Sequence, residues 1–147
     1  MCGIAGAVTL GQINPKQIDS AIDLMGHRGP DGKGFSIHSL ENGWNITLLH
    51  TRLSILDLNS RANQPMKIDN IDLVFNGEIY NYLELKRSYF SDLMLGTSSD
   101  TEILAHLLSK KGLTSLEECE GMFSLAYYDK QNEELFLARD RFGEKPL

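Results

Sequence analysis

FSIHSL (residues 35–40), ENG (41–43) and WNITLLHTRL (44–53) form the stretch whose reading decides the fold. Both flanks are rich in β-branched and aromatic residues. The Asn42-Gly43 pair between them is a strong hairpin signal, because both residue types tolerate the backbone angles of a tight reversal. Strands joined so closely are antiparallel neighbours, since a parallel pair needs a crossover of a dozen residues or more. Working outward, GIAGAVTL (3–10) reads as a buried strand ended by Gly11. Asn14-Pro15 then starts a helix with Ile18, Ala21, Ile22 and Met25 on one face, which Gly26 stops. HRGPDGKG (27–34) is a loop by composition. Beyond the hairpin, a polar loop from about Asn59 to Gln64 precedes a strand at Ile71–Phe75 that runs into NGEIYN. Tyr82–Tyr89 reads as a helix, and Leu93–Leu95 is a short apolar run. Ser99 with Glu102 forms a capping box that opens a helix with Ile103, Leu104, Leu107 and Leu108 inward. Met122–Asp129 and Leu135–Asp140 read as two strands around the turn KQNEE. Hairpins dominate the strand connections, which predicts an α+β fold with antiparallel sheets.

At 147 residues the chain is read as one domain. Hydrophobic residues make up 41% and charged residues 23%, as in ordinary globular proteins. Fourteen basic residues stand against twenty acidic ones, a net charge of −6 spread along the chain, which argues against nucleic acid or an anionic membrane as partner. No apolar run reaches the ~20 residues that span a bilayer, and no signal-peptide pattern is present, so a cytoplasmic location is expected. The two cysteines, Cys2 and Cys119, are expected to stay unpaired. Without CxxC or metal-spaced histidines, no metal is expected.

The chemistry centres on Cys2. Met1 precedes a small residue and is expected to be removed, which would give Cys2 a free α-amine. Such an amine, with an ordinary pKa of ~7.7–8.0, can accept the thiol proton, so nucleophile and base would share one residue. The plain alternative is a buried cysteine in the first strand. Asn76-Gly77 is either a simple turn or a pair of N–H donors for the oxyanion that forms when a thiolate attacks an amide. Arg52 is either a salt-bridged strand residue or a two-toothed clamp for an α-carboxylate. Glu78 and Asp100 can meet a substrate ammonium, although Asp100 also suits a helix's first turn. His27 and His50 lack any signature of a Cys-His pair and are read as structural.

The motifs MCGIAG, HRGPDG, RLSILDL, FNGEIYN, SSDTEI, LEECEGMFSLAYYD and LARDRFGEKPL occur in the order found in glutamine-hydrolysing asparagine synthetases, and the resemblance spans the chain. Gly26 stands where that family commonly has a basic residue. The resemblance implies a four-layer αββα N-terminal-nucleophile hydrolase fold, two antiparallel sheets packed between helices, here cut short at the C-terminus. It implies that L-glutamine is hydrolysed to glutamate and ammonia through a Cys2 thioester. Asn76 and Gly77 would form the oxyanion hole, and Arg52 would clamp the α-carboxylate with main-chain help from Leu53, Ser54, Ile55 and Leu56. Glu78 and Asp100 would hold the α-amine, with Arg28 and Gly29 bordering the site. The family's synthetase domain is expected to be missing, since no SGGxDS-type loop occurs. ATP and magnesium are expected only with that domain, and none in this chain. The implied partners are glutamine, a synthetase domain in the same chain and a second copy in a homodimer. Two alternatives stay open: another ammonia acceptor, a sugar phosphate or other carboxylate, and a non-catalytic glutamine-binding fragment.

Overall fold

The computed structural model describes residues 1–147. Strands β1 (Gly3–Leu10), β2 (Gly32–Ser39) and β3 (Trp44–Arg52) pair antiparallel in the order β1-β3-β2. Strands β4 (Met66–Ile68), β5 (Ile71–Ile79), β6 (Gly121–Asp129) and β7 (Glu134–Arg139) make a second antiparallel sheet in the order β4-β5-β6-β7. Helices α1 (Pro15–Met25), α2 (Tyr82–Tyr89) and α3 (Asp100–Lys111) complete the fold.

Side-chain alternation along the strands sets the layers. On β3, Ile46 and Leu48 pack on Val74, Ala126 and Tyr128 of the second sheet. Leu49 points the other way, onto Ile18 and Ile22 of α1. On β5, Leu73 and Phe75 turn from the first sheet and join Ile103, Leu104 and Leu107 of α3 in the largest apolar cluster. The order is therefore helix, sheet, sheet, helix, the four layers expected. Between the sheets, His50 Nε2 donates to Phe75 O at 3.2 Å, and His38 Nε2 to Asp72 Oδ2 at 2.8 Å. The bond to a carbonyl oxygen places the hydrogen of His50 on Nε2.

The local signals at α1 operate as read: Asn14 caps it, Gln17 completes the capping box and Gly26 ends it. The hairpin turns at residues 40–43, with Gly43 at φ +84°. Three expectations change. The last three residues of the glycine-rich HRGPDGKG segment are strand, because β2 begins at Gly32; a Cβ on Gly34 would stand 2.3 Å from Gln64 O, so the crossing of the 59–65 loop demands glycine there. β5 does not stop at Phe75 but continues through Gly77 to Ile79. Ser99 caps α3, yet the Glu102 carboxylate does not complete a box; it accepts from Gly96 N at 2.8 Å and Thr97 N at 2.6 Å, bracing the preceding turn. Leu93–Leu95 forms no regular element. No helix is long and apolar enough to cross a membrane.

Candidate active site

Cys2 lies immediately before β1, on the first sheet, and Asn76 and Gly77 lie on β5 of the second. Together with Arg52, Leu53, Ile55, Leu56, Glu78 and Asp100 they line one pocket. Ser54 lies outside its lining; its N–H donates instead to Asp31 Oδ2 at 2.8 Å. A larger, mostly aliphatic cleft of about 560 Å³ opens on the other side of Cys2, between β1 and β7. Charged groups converge on the smaller pocket, so polar chemistry belongs there.

Cys2 Sγ sits 3.4 Å from Leu53 N, which donates to it, and Arg28 Nε donates to Cys2 O at 3.1 Å. Gly29 packs edge-on against β3, where a Cβ would lie 2.3 Å from Thr51 C and 2.4 Å from Arg52 N. The Arg28-Gly29 turn thus grips the Cys2 backbone from outside the lining of the smaller pocket, with Arg28 on the aliphatic cleft instead. Cys119 is no rival: both cysteines are free, but burial, then the charge of Glu118, pushes the Cys119 thiol up to about 11.

The strand through Gly77 answers what the Asn76-Gly77 pair is. It is not a turn, and its register explains what it offers. Phe123, the β6 partner of Gly77, has both backbone groups committed elsewhere: its N–H donates to Asp140 Oδ2 at 3.1 Å, and its carbonyl accepts from Asp140 N at 2.8 Å. The backbone groups of Phe75, Gly77 and Ile79 therefore leave β5 on the side away from β6. Phe75 N is taken by Gln64 Oε1 at 2.6 Å and Ile79 N by Asp100 Oδ2 at 2.9 Å. Between these two, the Gly77 N–H keeps no protein partner and lies on the pocket's side. Asn76, 3% exposed, also lines the pocket with its side-chain amide unbonded within the chain. Glycine at 77 serves packing before substrate access, since a Cβ there would meet Met122 O at 2.1 Å and Phe123 Cα at 2.7 Å.

Arg52 is more committed than its sequence context suggests. Nη1 donates to Asn59 O at 2.9 Å and Asn63 Oδ1 at 3.1 Å; Nη2 donates to Leu56 O at 3.0 Å and to Asp57 O. These four acceptors shape the loop after β3 and leave only Nε and the net charge for a ligand. Asp100 is 4% exposed, and burial raises its carboxyl above the usual range, against the donors at Ile79, Thr101 and Ser99; the charge of Glu78 adds to the rise. Two acids facing one pocket, one of them desolvated, form a place that a cation would relieve.

Lys145 escaped sequence reasoning. It is 5% exposed, lines the same pocket, and its Nζ lies 2.7 Å from Met1 Sδ. Its position is fixed by Asp140, whose carboxylate accepts from the N–H groups of Phe123, Phe142, Glu144 and Lys145. Burial alone would raise the Asp140 pKa; the four donors outweigh it and bring it to about 2. The only signal in sequence was the motif LARDRFGEKPL itself. No cluster of three or more His, Cys, Asp or Glu is placed to hold a metal.

Comparisons with known proteins bear on this pocket. The family model described as "Glutamine amidotransferase domain" matches residues 1–147. A putative asparagine synthetase [glutamine-hydrolyzing] 2 of Methanocaldococcus jannaschii is 37% identical over 164 residues, covering 100% of this chain and 31% of that protein. Asparagine synthetase [glutamine-hydrolyzing] 2 of Bacillus subtilis is 39% identical over 154 residues, covering 100% of this chain and 20% of that protein. The chain thus spans a third or less of the length of these relatives. Among solved structures, the glutamine phosphoribosylpyrophosphate amidotransferase of B. subtilis superposes with a TM-score of 0.68 at 20% identity, over 93% of this chain and 37% of that one. That likeness shows the fold, two antiparallel sheets packed between helices.

Proposed function

The chain belongs to the glutamine amidotransferase domain family, and from that premise we propose that it hydrolyses L-glutamine to glutamate and ammonia through a thioester on Cys2. The observation that carries the reading is the unpartnered Gly77 N–H beside the unpartnered Asn76 amide, on the strand facing Cys2. Once Met1 is gone, the α-amine of Cys2 takes the thiol proton. The thiolate attacks the side-chain amide carbon of glutamine, and the oxyanion falls between Asn76 and Gly77. The same amine then protonates the departing nitrogen, ammonia leaves, and water hydrolyses the thioester to glutamate.

Glutamine also carries an α-ammonium and an α-carboxylate. Glu78 and Asp100 receive the first, which reverses the unfavourable burial of Asp100. The charge and Nε of Arg52, with main-chain N–H groups of the Leu53–Leu56 stretch, receive the second. The acceptor of the ammonia belongs to the longer proteins of which such domains are part. The names of the relatives favour aspartate, activated by ATP with magnesium on a synthetase domain. A sugar phosphate or other carboxylate is the alternative acceptor.

The test is glutamine-dependent ammonia release, with mass spectrometry establishing whether Met1 has been removed. Cys2→Ala should abolish release while glutamine still binds; undiminished turnover in that variant would refute the mechanism. A chain that binds glutamine without turnover, even with Met1 removed, would favour the non-catalytic alternative.

A further inference from the structure

The two ends of the pocket come from segments far apart in sequence: the loop 53–63 after β3, and the turn 96–99 that leads into α3. One side chain joins them. Asp57 Oδ2 accepts from Ser98 N at 2.8 Å, and no other hydrogen bond links the two segments. Its Oδ1 accepts from Asn59 N at 3.1 Å, and Arg61 Nε donates to Oδ2 at 3.1 Å. The main-chain oxygen of Asp57 is one of the four acceptors that hold Arg52. The carboxylate is 3% exposed, although Arg61 above it is open to solvent.

The backbone of Asp57 has φ +50°, in the left-handed region where glycine would sit without cost. An aspartate there is explained by what its carboxylate does. Ser98 is two residues from Asp100, and Asp57 directly follows the Leu53–Leu56 stretch. Asp57 thus sits behind both recognition groups without lining the pocket itself.

We propose that Asp57 is a positioning residue that sets the spacing between the carboxylate-binding and ammonium-binding ends of the pocket, and so holds them at the separation that the α-carboxylate and α-ammonium of one amino acid require. The inference rests on the glutaminase reading. Cys2, Asn76 and Gly77 stand on or beside β1 and β5, which the Asp57 side chain does not touch, so loosening the staple disturbs binding of the amino-acid end and leaves the reacting centre in place. An asparagine offers one oxygen where Ser98 N and Asn59 N each use one, so it must release a bond; glycine suits the backbone angle and releases both.

The experiment compares wild type, Asp57→Asn and Asp57→Gly in the full-length protein, following ammonia release against glutamine concentration. Loss of one hydrogen bond to a charged group predicts a KM raised about tenfold in Asp57→Asn, more in Asp57→Gly, with kcat within about twofold. Alkylation of Cys2 by iodoacetamide, which needs no amino-acid recognition, should keep its wild-type rate in both. Unchanged KM in both variants would overturn the proposal, as would a fall of kcat and alkylation rate alongside KM, which marks a general folding role. If wild type releases no ammonia from glutamine, the glutaminase reading falls first and takes this one with it; if wild type turns over and only the KM prediction fails, the glutaminase reading stands.

Discussion

Acid should destabilise this protein through His50. Its imidazole is fully buried between the sheets, and burial lowers its pKa from 6.5 to about 4; the Phe75 carbonyl works against that fall and the charge of Arg52 adds to it. Above pH 6.5 the ring is neutral in both folded and unfolded chains, and folding exchanges no proton. Below 6.5 the unfolded chain takes up a proton that the folded chain refuses until the pH nears 4. Stability therefore falls across that window and levels off beneath it. At about 1.4 kcal/mol for each pH unit, the loss reaches about 2 kcal/mol by pH 5 and about 3 kcal/mol by pH 4. That is a large share of the ~5–15 kcal/mol typical of a domain. The assay is urea unfolding followed by circular dichroism at pH 7.5 and pH 5, for wild type and His50→Gln. Glutamine keeps an N–H of similar reach for Phe75 O but does not titrate. Wild type should lose about 2 kcal/mol more than the variant between the two pH values. Equal losses in both proteins would refute the assignment, because every other titrating group is common to the pair.

Two further outcomes concern β5. In the proposed mechanism Asn76→Ala removes one oxyanion donor and should lower kcat about 10²–10³-fold with KM nearly unchanged in steady-state ammonia release; a fall of less than tenfold would show that the amide is not aimed at the reacting oxygen. Gly77→Ala places a methyl group 2.1 Å from Met122 O, so β5 and β6 must part. It should cost about 2–3 kcal/mol in urea unfolding and also depress turnover, since the free N–H moves with the strand.

What could be read in the sequence was what is written locally. Asn14, Pro15 and Gly26 bound α1 through their own backbone preferences, and Asn42-Gly43 turns the hairpin for the same reason. Glycines at 34 and 77 misled because their cause is tertiary: each admits another segment's backbone, and composition cannot tell that from a loop. Glu102 misled likewise, its spacing from Ser99 fitting a cap while its carboxylate had the Gly96-Thr97 backbone to brace. Motif order brought together most of the residues that line the smaller pocket. Their commitments were not. That the Gly77 N–H is left free depends on Asp140 engaging both backbone groups of Phe123, a contact across 17 residues. That the Arg52 fork is filled depends on the path of the loop after it. Asp57 and Lys145 carried no signal beyond lying inside longer motifs.

Cys2 is carried at the margin of one sheet and Asn76 and Gly77 on a strand of the other, so in the proposed mechanism the distance of attack is an inter-layer dimension. No bond within either sheet sets it; it is set by what lies between, including His50 on Phe75 and, several residues along β5, His38 on Asp72. A slide of about one ångström between such layers can change a rate by about two orders of magnitude. In that mechanism the seam between the sheets is a calibration surface for the reaction. Substitutions there, out of reach of any substrate, should tune turnover by shear rather than by contact.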